Sequence, residues 1–194
     1  MKNAMIFTLA ATGAAMAATV DVTSDIESSV TWTADNEYNL TTQIYVRPGA
    51  TLTIEAGTRV VSTATANGSG ALCVVNGGQI FINGDSNAPV VMTSSEDNGN
   101  WRASCNEWGN LTICGDAYIG FDGVTNSGGF PGNTLAPSAS NEANMEGLVE
   151  EAGNPSLNNY GGGDDDYDAG NISYLSLRSV SYTHLTLPTS SQVL

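Results

Sequence analysis

Short apolar runs separated by tight-turn residues recur along the middle of this chain. Residues 45–62, YVRPGATLTIEAGTRVVS, hold three such runs divided by Pro48-Gly49 and by Glu55-Ala56-Gly57. The same alternation returns in residues 71–84 and 110–120. Glycine tolerates the positive φ that sharp corners need, and alternate residues of a strand face one side. The pattern predicts stacked coils of short strands, an all-β, right-handed parallel β-helix with an N-terminal cap.

Two apolar positions recur in three of these runs: Leu52, Leu72 and Leu111 at the first, and Ile54, Val74 and Ile113 at the second. We expect residues that share a position to lie above one another about 4.8 Å apart, forming aliphatic ladders inside the coil. An antiparallel sandwich is the alternative, because the hairpin dipeptides Asn67-Gly68 and Asn83-Gly84 also occur.

The first residues read as a secretory leader. Residues 1–17 have a basic start at Lys2, an apolar centre and the small-residue pattern Ala15-Met16-Ala17, which predicts a signal peptide cleaved after Ala17. No later stretch is long and apolar enough for a transmembrane segment. We therefore expect an exported protein, either secreted or held at the cell surface.

The remaining chain divides into three parts. Residues 18–44 are predicted to form the N-terminal cap strands, and residues 45–178 the β-helix coils, with long loops at 94–108 and 121–170. Residues 180–189 read VSYTHLTLPT, which resembles the translated end of a transposon-based sequencing adapter. Residues 179–194 are therefore predicted to be an adapter-derived artefact, so that His184 is not native and the natural chain continues past Arg178.

The charge of the chain is strongly one-sided, with 20 acidic residues against 5 basic ones and a net charge of −15. Such a surface repels phosphate backbones and anionic lipids, which argues against nucleic-acid binding and membrane-surface binding. Dissolved cations, calcium above all, are the partners that it would attract.

An acidic, glycine-rich loop is the sharpest local feature. Residues 161–170, GGGDDDYDAG, carry four carboxylates on adaptable backbone, at Asp164, Asp165, Asp166 and Asp168. Hard oxygen ligands in such a loop suit calcium, although the spacing does not match an EF-hand. The sequence predicts a calcium site here, and a solvated acidic loop is the alternative.

Three cysteines occur, and export permits disulfides. Cys105 and Cys114 flank a short interval and are the predicted disulfide candidates. Cys73 with Cys114 is the other pairing, provided that their coils are neighbours.

Five strings carry a family resemblance: LTIEAGTRVV, ALCVVNGGQIFINGDSNAPVVMTS, EWGNLTICGDAYIG, MEGL and YGGGDDDYDAGNISYLSLR. They resemble secreted bacterial surface proteins with a parallel β-helix of the pectate-lyase-like superfold, most of which have no assigned activity. The resemblance covers nearly all of residues 40–178. It implies an exported or surface-bound protein, and it carries over no catalytic residue.

The predicted function is therefore that of a non-catalytic structural, adhesive or binding β-helix, with extracellular glycans or cell-surface components as partners. The alternative is a polysaccharide-active lyase or glycoside hydrolase with its catalytic residues beyond Arg178. Within the given residues, the carboxylates of the acidic loop would suit a hydrolase with paired carboxylates, and Arg178 would suit a lyase with a calcium-assisted base. The Gly-His-Gly and Asn-Thr-Asp motifs of pectinase-type hydrolases do not occur in the sequence.

Overall fold

The computed structural model describes residues 17–63, 70–100, 107–120, 136–149, 154 and 156–179. Within these ranges the chain forms fourteen short strands: β1 (Ala18–Val22), β2 (Val30–Trp32), β3 (Asn36–Leu40), β4 (Gln43–Val46), β5 (Thr51–Glu55), β6 (Arg59–Ser62), β7 (Ala71–Val74), β8 (Gln79–Asn83), β9 (Val90–Ser94), β10 (Leu111–Ile113), β11 (Ala143–Asn144), β12 (Asn159–Tyr160), β13 (Gly170–Ser173) and β14 (Leu175–Leu177). No helix in these ranges has the length and apolarity that a membrane span requires.

Several predictions fall on residues outside the described ranges. The signal peptide lies outside them apart from Ala17, and the adapter-derived tail lies outside them apart from Ser179. Cys105 is also outside the described residues.

The strands build three parallel sheets. The five-stranded sheet has the order β1-β3-β6-β9-β14, the four-stranded sheet β13-β8-β5-β2, and the three-stranded sheet β10-β7-β4. Along the chain, each coil contributes one strand to the four-stranded, then the five-stranded, then the three-stranded sheet. The first three coils are β2-β3-β4, β5-β6-β7 and β8-β9-β10, and β13-β14 begin a fourth. This is a parallel β-helix, as predicted, and the parallel pairing excludes the antiparallel sandwich.

Aliphatic ladders fill the inside of the coils. In the four-stranded sheet Ile54 lies opposite Ile82, and in the three-stranded sheet Val74 lies opposite both Val46 and Ile113. Four of these five side chains belong to the buried core, and Ile113 packs against it. Because neighbouring parallel strands lie about 4.8 Å apart, each side chain of a ladder covers the apolar surface of the next one and removes it from water.

The predicted stack of Leu52 on Leu72 is wrong. Leu52 lies opposite Ile80 in the four-stranded sheet, whereas Leu72 lies opposite Leu111 in the three-stranded sheet. Leu72 and Leu111 are therefore stacked as predicted, but Leu52 belongs to another ladder. The cause is that each coil contributes three strands, so the 20-residue spacing from Leu52 to Leu72 joins two sheets of a single coil.

The segment predicted to cap the solenoid, residues 18–44, runs in register with the coils that follow. Strand β1 pairs in parallel with β3, and Ile26 forms a parallel bridge with Val46. Inside the first coil the rings of Trp32 and Tyr38 stack with their centroids 4.6 Å apart. Both rings are buried, and they fill this end of the interior together with the buried aliphatic side chains of Leu40, Ile44 and Val46.

The three-stranded sheet is covered on both faces, most fully at its middle strand β7, whereas β10 is half-buried. Its outer face packs against the segment that contains β11 and β12, in a second apolar cluster: Tyr45, Cys73, Val75, Cys114, Leu148 and Leu157, with Met145 and Tyr160 at its border. Gln43 Nε2 donates to the Gly147 carbonyl at 2.9 Å and Tyr45 Oη donates to the Val149 carbonyl at 2.7 Å. Burial on both faces explains why residues 71–75 are a continuous apolar run instead of an alternating one.

Candidate functional site

The acidic loop, residues 161–170, is held at the corner between the three-stranded and four-stranded sheets. Tyr167 fixes it there, because Tyr167 Oη accepts from the Gly77 amide at 2.9 Å and donates to the Gly78 carbonyl at 2.7 Å. Gln79 Nε2 adds a hydrogen bond to the Asp168 carbonyl at 2.9 Å. Burial raises the pKa of Tyr167, and the nearby carboxylates of Asp116 and Asp168 raise it further.

Asp116 ties the same loop to the end of the third coil. Its carbonyl accepts from the Asp164 amide at 2.9 Å, and its Oδ1 accepts from Asn76 Nδ2 at 2.9 Å. A Cβ on Gly162 would overlap Asp116 Oδ1. Glycine at this position is therefore what lets the loop approach the Asp116 side chain so closely.

The four predicted calcium ligands are exposed, and three of their carboxylates accept hydrogen bonds from backbone amides. Asp164 Oδ1 accepts from the Asp166 amide at 3.0 Å, Asp165 Oδ1 from the Tyr118 amide at 3.0 Å, and Asp168 Oδ1 from the Gly170 amide at 2.8 Å. Within the described ranges, no group of three or more His, Cys, Asp and Glu side chains is arranged to hold a metal ion. The calcium site at Asp164, Asp165, Asp166 and Asp168 stays a prediction.

Arg178 lies away from the acidic loop, beyond the end of β14 in the five-stranded sheet. Its Nη1 is 3.9 Å from Asp97 Oδ2, which also accepts from Thr93 Oγ1 at 2.8 Å. The Gly99 amide bond to Asp97, then the Thr93 bond, then the charges of Arg59 and Arg178 lower the pKa of the Asp97 carboxyl. Arg178 thus faces a carboxylate other than those of the acidic loop.

The structure brings Cys73 and Cys114 together. Cys73 lies in β7, Cys114 directly follows β10, and these two strands are neighbours in the three-stranded sheet. The Cys114 amide donates to the Val74 carbonyl at 2.8 Å. Both cysteines are free thiols and fully buried. A hydrogen bond with the Cys114 thiol, together with burial, raises the pKa of Cys73. The predicted Cys105–Cys114 pairing is not tested, because Cys105 lies outside the described residues.

The outer face of the four-stranded sheet was not singled out from the sequence. Its middle row of outward side chains crosses all four strands in register: Thr31, Thr53, Phe81 and Asn171. Thr31 and Asn171 are exposed, and Thr53 and Phe81 are half-buried. The signal was present in QIFIN of β8, where Ile80 and Ile82 alternate with an aromatic residue that must then face outward.

Two further rows flank the Phe81 row. On one side Thr51 lies opposite Gln79, and Thr51 Oγ1 is 3.4 Å from Gln79 Oε1. On the other side Glu55, Asn83 and Ser173 form a row. These three rows are therefore rich in hydroxyl and amide groups, and they carry one carboxylate and one aromatic ring. We call these three rows the polar face.

Comparison with known families agrees with the architecture. The model of the pectate-lyase-like β-helix domain matches residues 24–191. No curated protein and no solved structure has significant similarity to the chain. The matched stretch is well over half of the sequence and takes in the coils from β2 to β14. The chain therefore belongs to the family of pectate-lyase-like β-helix domains.

Proposed function

We propose that this chain is an exported, non-catalytic binding module that attaches to extracellular glycans or cell-surface polymers through the polar face of its four-stranded sheet. The polar face is the observation that carries the proposal. Its hydroxyl and amide groups can donate and accept hydrogen bonds with sugar hydroxyls, and the Phe81 ring offers an apolar surface to the C–H face of a sugar ring.

The geometry of the face favours an extended ligand. Four strands in register place the Thr31, Thr53, Phe81 and Asn171 side chains along a straight row about 14 Å long. Such a row runs across the strands, parallel to the axis of the solenoid. A polymer lying along it would meet equivalent positions of successive coils, which suits a repeating chain better than a small compact molecule.

Charge narrows the class of polymer. The chain has a net charge of −15, and Glu55 lies on the polar face itself. A uronate or sulfated polymer would meet repulsion over the whole approach, which is screened only beyond a Debye length of about 8 Å at physiological salt. Neutral glycans are therefore the ligand class that we propose.

The test is binding of the full chain to a panel of soluble neutral glucans, galactans and xylans beside polygalacturonate, measured by affinity electrophoresis. We expect at least one neutral polymer to retard the protein, and Phe81→Ala to weaken that binding about tenfold, equivalent to about 1.4 kcal/mol. Tyr118→Ala is the matched control, because Tyr118 is 43% exposed but lies at the acidic loop. Unchanged retardation of Phe81→Ala would overturn the assignment of the polar face.

A second function follows from the family. Pectate-lyase-like β-helix domains point to polysaccharides generally, so the alternative is a polysaccharide-active enzyme. Incubation with uronate polymers separates the two. New unsaturated products or reducing ends would establish the enzyme, whereas binding of a neutral polymer whose chain length stays constant supports the binding module.

Calcium at the acidic loop is a separate part of the proposal. We expect added CaCl2 to raise the melting temperature of the full chain, and Asp164→Asn combined with Asp168→Asn to remove the shift, because both carboxylates lie in this loop. Asp85→Asn, in an exposed turn between β8 and β9, is the control. An equal shift in all three proteins would assign the effect to general screening of the acidic surface.

A further inference from the structure

Two thiols on successive coils lie in one buried cluster beneath the segment that covers the three-stranded sheet. Cys73 is in β7 of the second coil, and Cys114 follows β10 of the third. Both are 0% exposed, and both belong to the apolar cluster that also contains Tyr45 and Leu148. Their side chains point to the same outer face, since Cys73 and Val75 alternate with the inward Leu72 and Val74.

We propose that Cys73 and Cys114 are oxidised to a disulfide that ties the second coil to the third. Export, which forms part of the function proposed above, would bring the chain into an oxidising environment where such bonds persist. The bond would close the loop that contains residues 74–113, including the long connection between β9 and β10. It would therefore fix the register of the three-stranded sheet, which has the fewest strands of the three parallel sheets.

The reaction is a two-electron oxidation by an external disulfide. One cysteine thiolate attacks a sulfur of that disulfide, and a thiol leaves. The second cysteine then displaces the remaining half at the mixed disulfide, forming the Cys73–Cys114 bond and releasing a second thiol. Two protons and two electrons pass to the oxidant, which can be oxidised glutathione or a disulfide-carrying protein.

The register of β7 and β10 determines how far Cys114 must move for the disulfide to form. Thr112 lies directly opposite Cys73, so Cys114 is the diagonal neighbour. Parallel strands about 4.8 Å apart with a rise of about 3.3 Å per residue place the α-carbons of such neighbours about 8 Å apart, and a disulfide needs α-carbons within about 7 Å. The bond therefore draws Cys114 toward Cys73 by about an ångström. Cys114 lies just past the last residue of β10 and before Gly115, where the chain leaves the sheet.

Burial determines when the bond can form. In the folded chain an oxidant cannot reach either sulfur, because both are 0% exposed and lie in the apolar cluster with Met145, Leu148, Leu157 and Tyr160. Oxidation must therefore occur during folding, after β7 pairs with β10 and before the covering segment docks through Gln43 and Tyr45. Once formed, the bond is shielded from reductants by the same segment.

Peptide mapping of the full chain tests the proposal independently of export and of glycan binding. The chain is refolded in a glutathione redox buffer, unfolded in the presence of iodoacetamide and cut with trypsin. Cleavage after Arg59, Arg102 and Arg178 places Cys73 on peptide 60–102, and both other cysteines on peptide 103–178. We expect a reducible cross-link between these two peptides in the wild type and in Cys105→Ser, and its loss in Cys114→Ser.

Two outcomes would overturn the proposal. One is carbamidomethyl label on both Cys73 and Cys114 of the refolded wild type; the other is a bond within peptide 103–178, which joins Cys105 to Cys114. The wild-type and Cys105→Ser maps decide the question even if Cys114→Ser does not fold. We also expect the oxidised chain to melt about 5 to 10 °C above the reduced chain. Equal melting temperatures of a fully cross-linked and a reduced sample would contradict the role in fixing the register.

Discussion

Shortening one rung of an aliphatic ladder tests the stacking on which the fold depends. Leu72 is 0% exposed and lies between Ile44 and Leu111 in the three-stranded sheet. Leu72→Ala removes three carbon atoms from the interior, which costs about 2.4 kcal/mol at about 0.8 kcal/mol per buried methylene. The cavity left between two fixed neighbours adds about 1 to 2 kcal/mol, because closely packed coils relax only partly. The expected loss of unfolding free energy is therefore about 3.5 to 4.5 kcal/mol.

Urea unfolding followed by circular dichroism measures this loss. The midpoint should fall while the slope with denaturant stays constant, since the exposed area on unfolding barely changes. Leu177→Ala is the matched control, because Leu177 faces the same interior direction in β14 but is 49% exposed. It should cost about 1 kcal/mol. Equal losses in the two variants would refute the argument that enclosed stacking, rather than apolar character alone, stabilises the coils.

Two further predictions concern the edge strand and pH. Gly170 has φ +116°, and a Cβ at this position would overlap the Ile80 carbonyl. Gly170→Ala should therefore detach β13. The Ile80 amide, which donates to the Ala169 carbonyl, should then lose its protection from hydrogen exchange. Gly49 also has positive φ but has open space around it, so Gly49→Ala should lower the free energy of unfolding by only about 1 to 2 kcal/mol and leave the Ile80 amide protected. Equal protection of the Ile80 amide in the two variants would contradict the predicted detachment of β13. Burial, then the neighbouring Cys73 and Asp25, raises the pKa of Tyr45 to about 12. Because the unfolded tyrosine loses its proton near pH 10, stability should be fully present below pH 10 and fall as pH rises toward 12. Urea midpoints at pH 8, 10 and 11 should show a shallower fall for Tyr45→Phe, and an unchanged slope would assign the effect to other tyrosines.

Local pattern was enough to predict the strands and their inward faces. Leu52 and Ile54 in β5, and Leu72 and Val74 in β7, were assigned to the interior and are 0% exposed. The reason is that the two-residue alternation of a strand is a property of the strand itself. Turn residues gave the corners in the same way: Gly49, Gly57 and Gly77 all have positive φ. These features depend on residues close in sequence and not on the coils above and below.

Contacts between distant residues were predicted only in part: the stack of Leu72 on Leu111 was predicted from the sequence, and the stack of Leu52 on Ile80 was not. Leu52 stacks on Ile80, 28 residues away, while Leu72 stacks on Leu111, 39 residues away. Loops of unequal length join the strands, so no fixed repeat identifies the partner of a given residue. The acidic loop illustrates the same limit, since its carboxylates bind backbone amides of residues as distant as Tyr118.

By itself the sequence determined an all-β chain of short strands with inward apolar residues, turned at glycine corners, because these properties depend on neighbours only a few residues apart. The tertiary structure alone decided that the strands pair in parallel rather than as a sandwich, that Cys73 meets Cys114, that Leu148 and Leu157 cover the three-stranded sheet, and that Phe81 stands in a polar row of the four-stranded sheet. Those outcomes depend on where loops of different lengths return the chain, and pairing at such separations is selected by the packing of the whole solenoid rather than by any local preference.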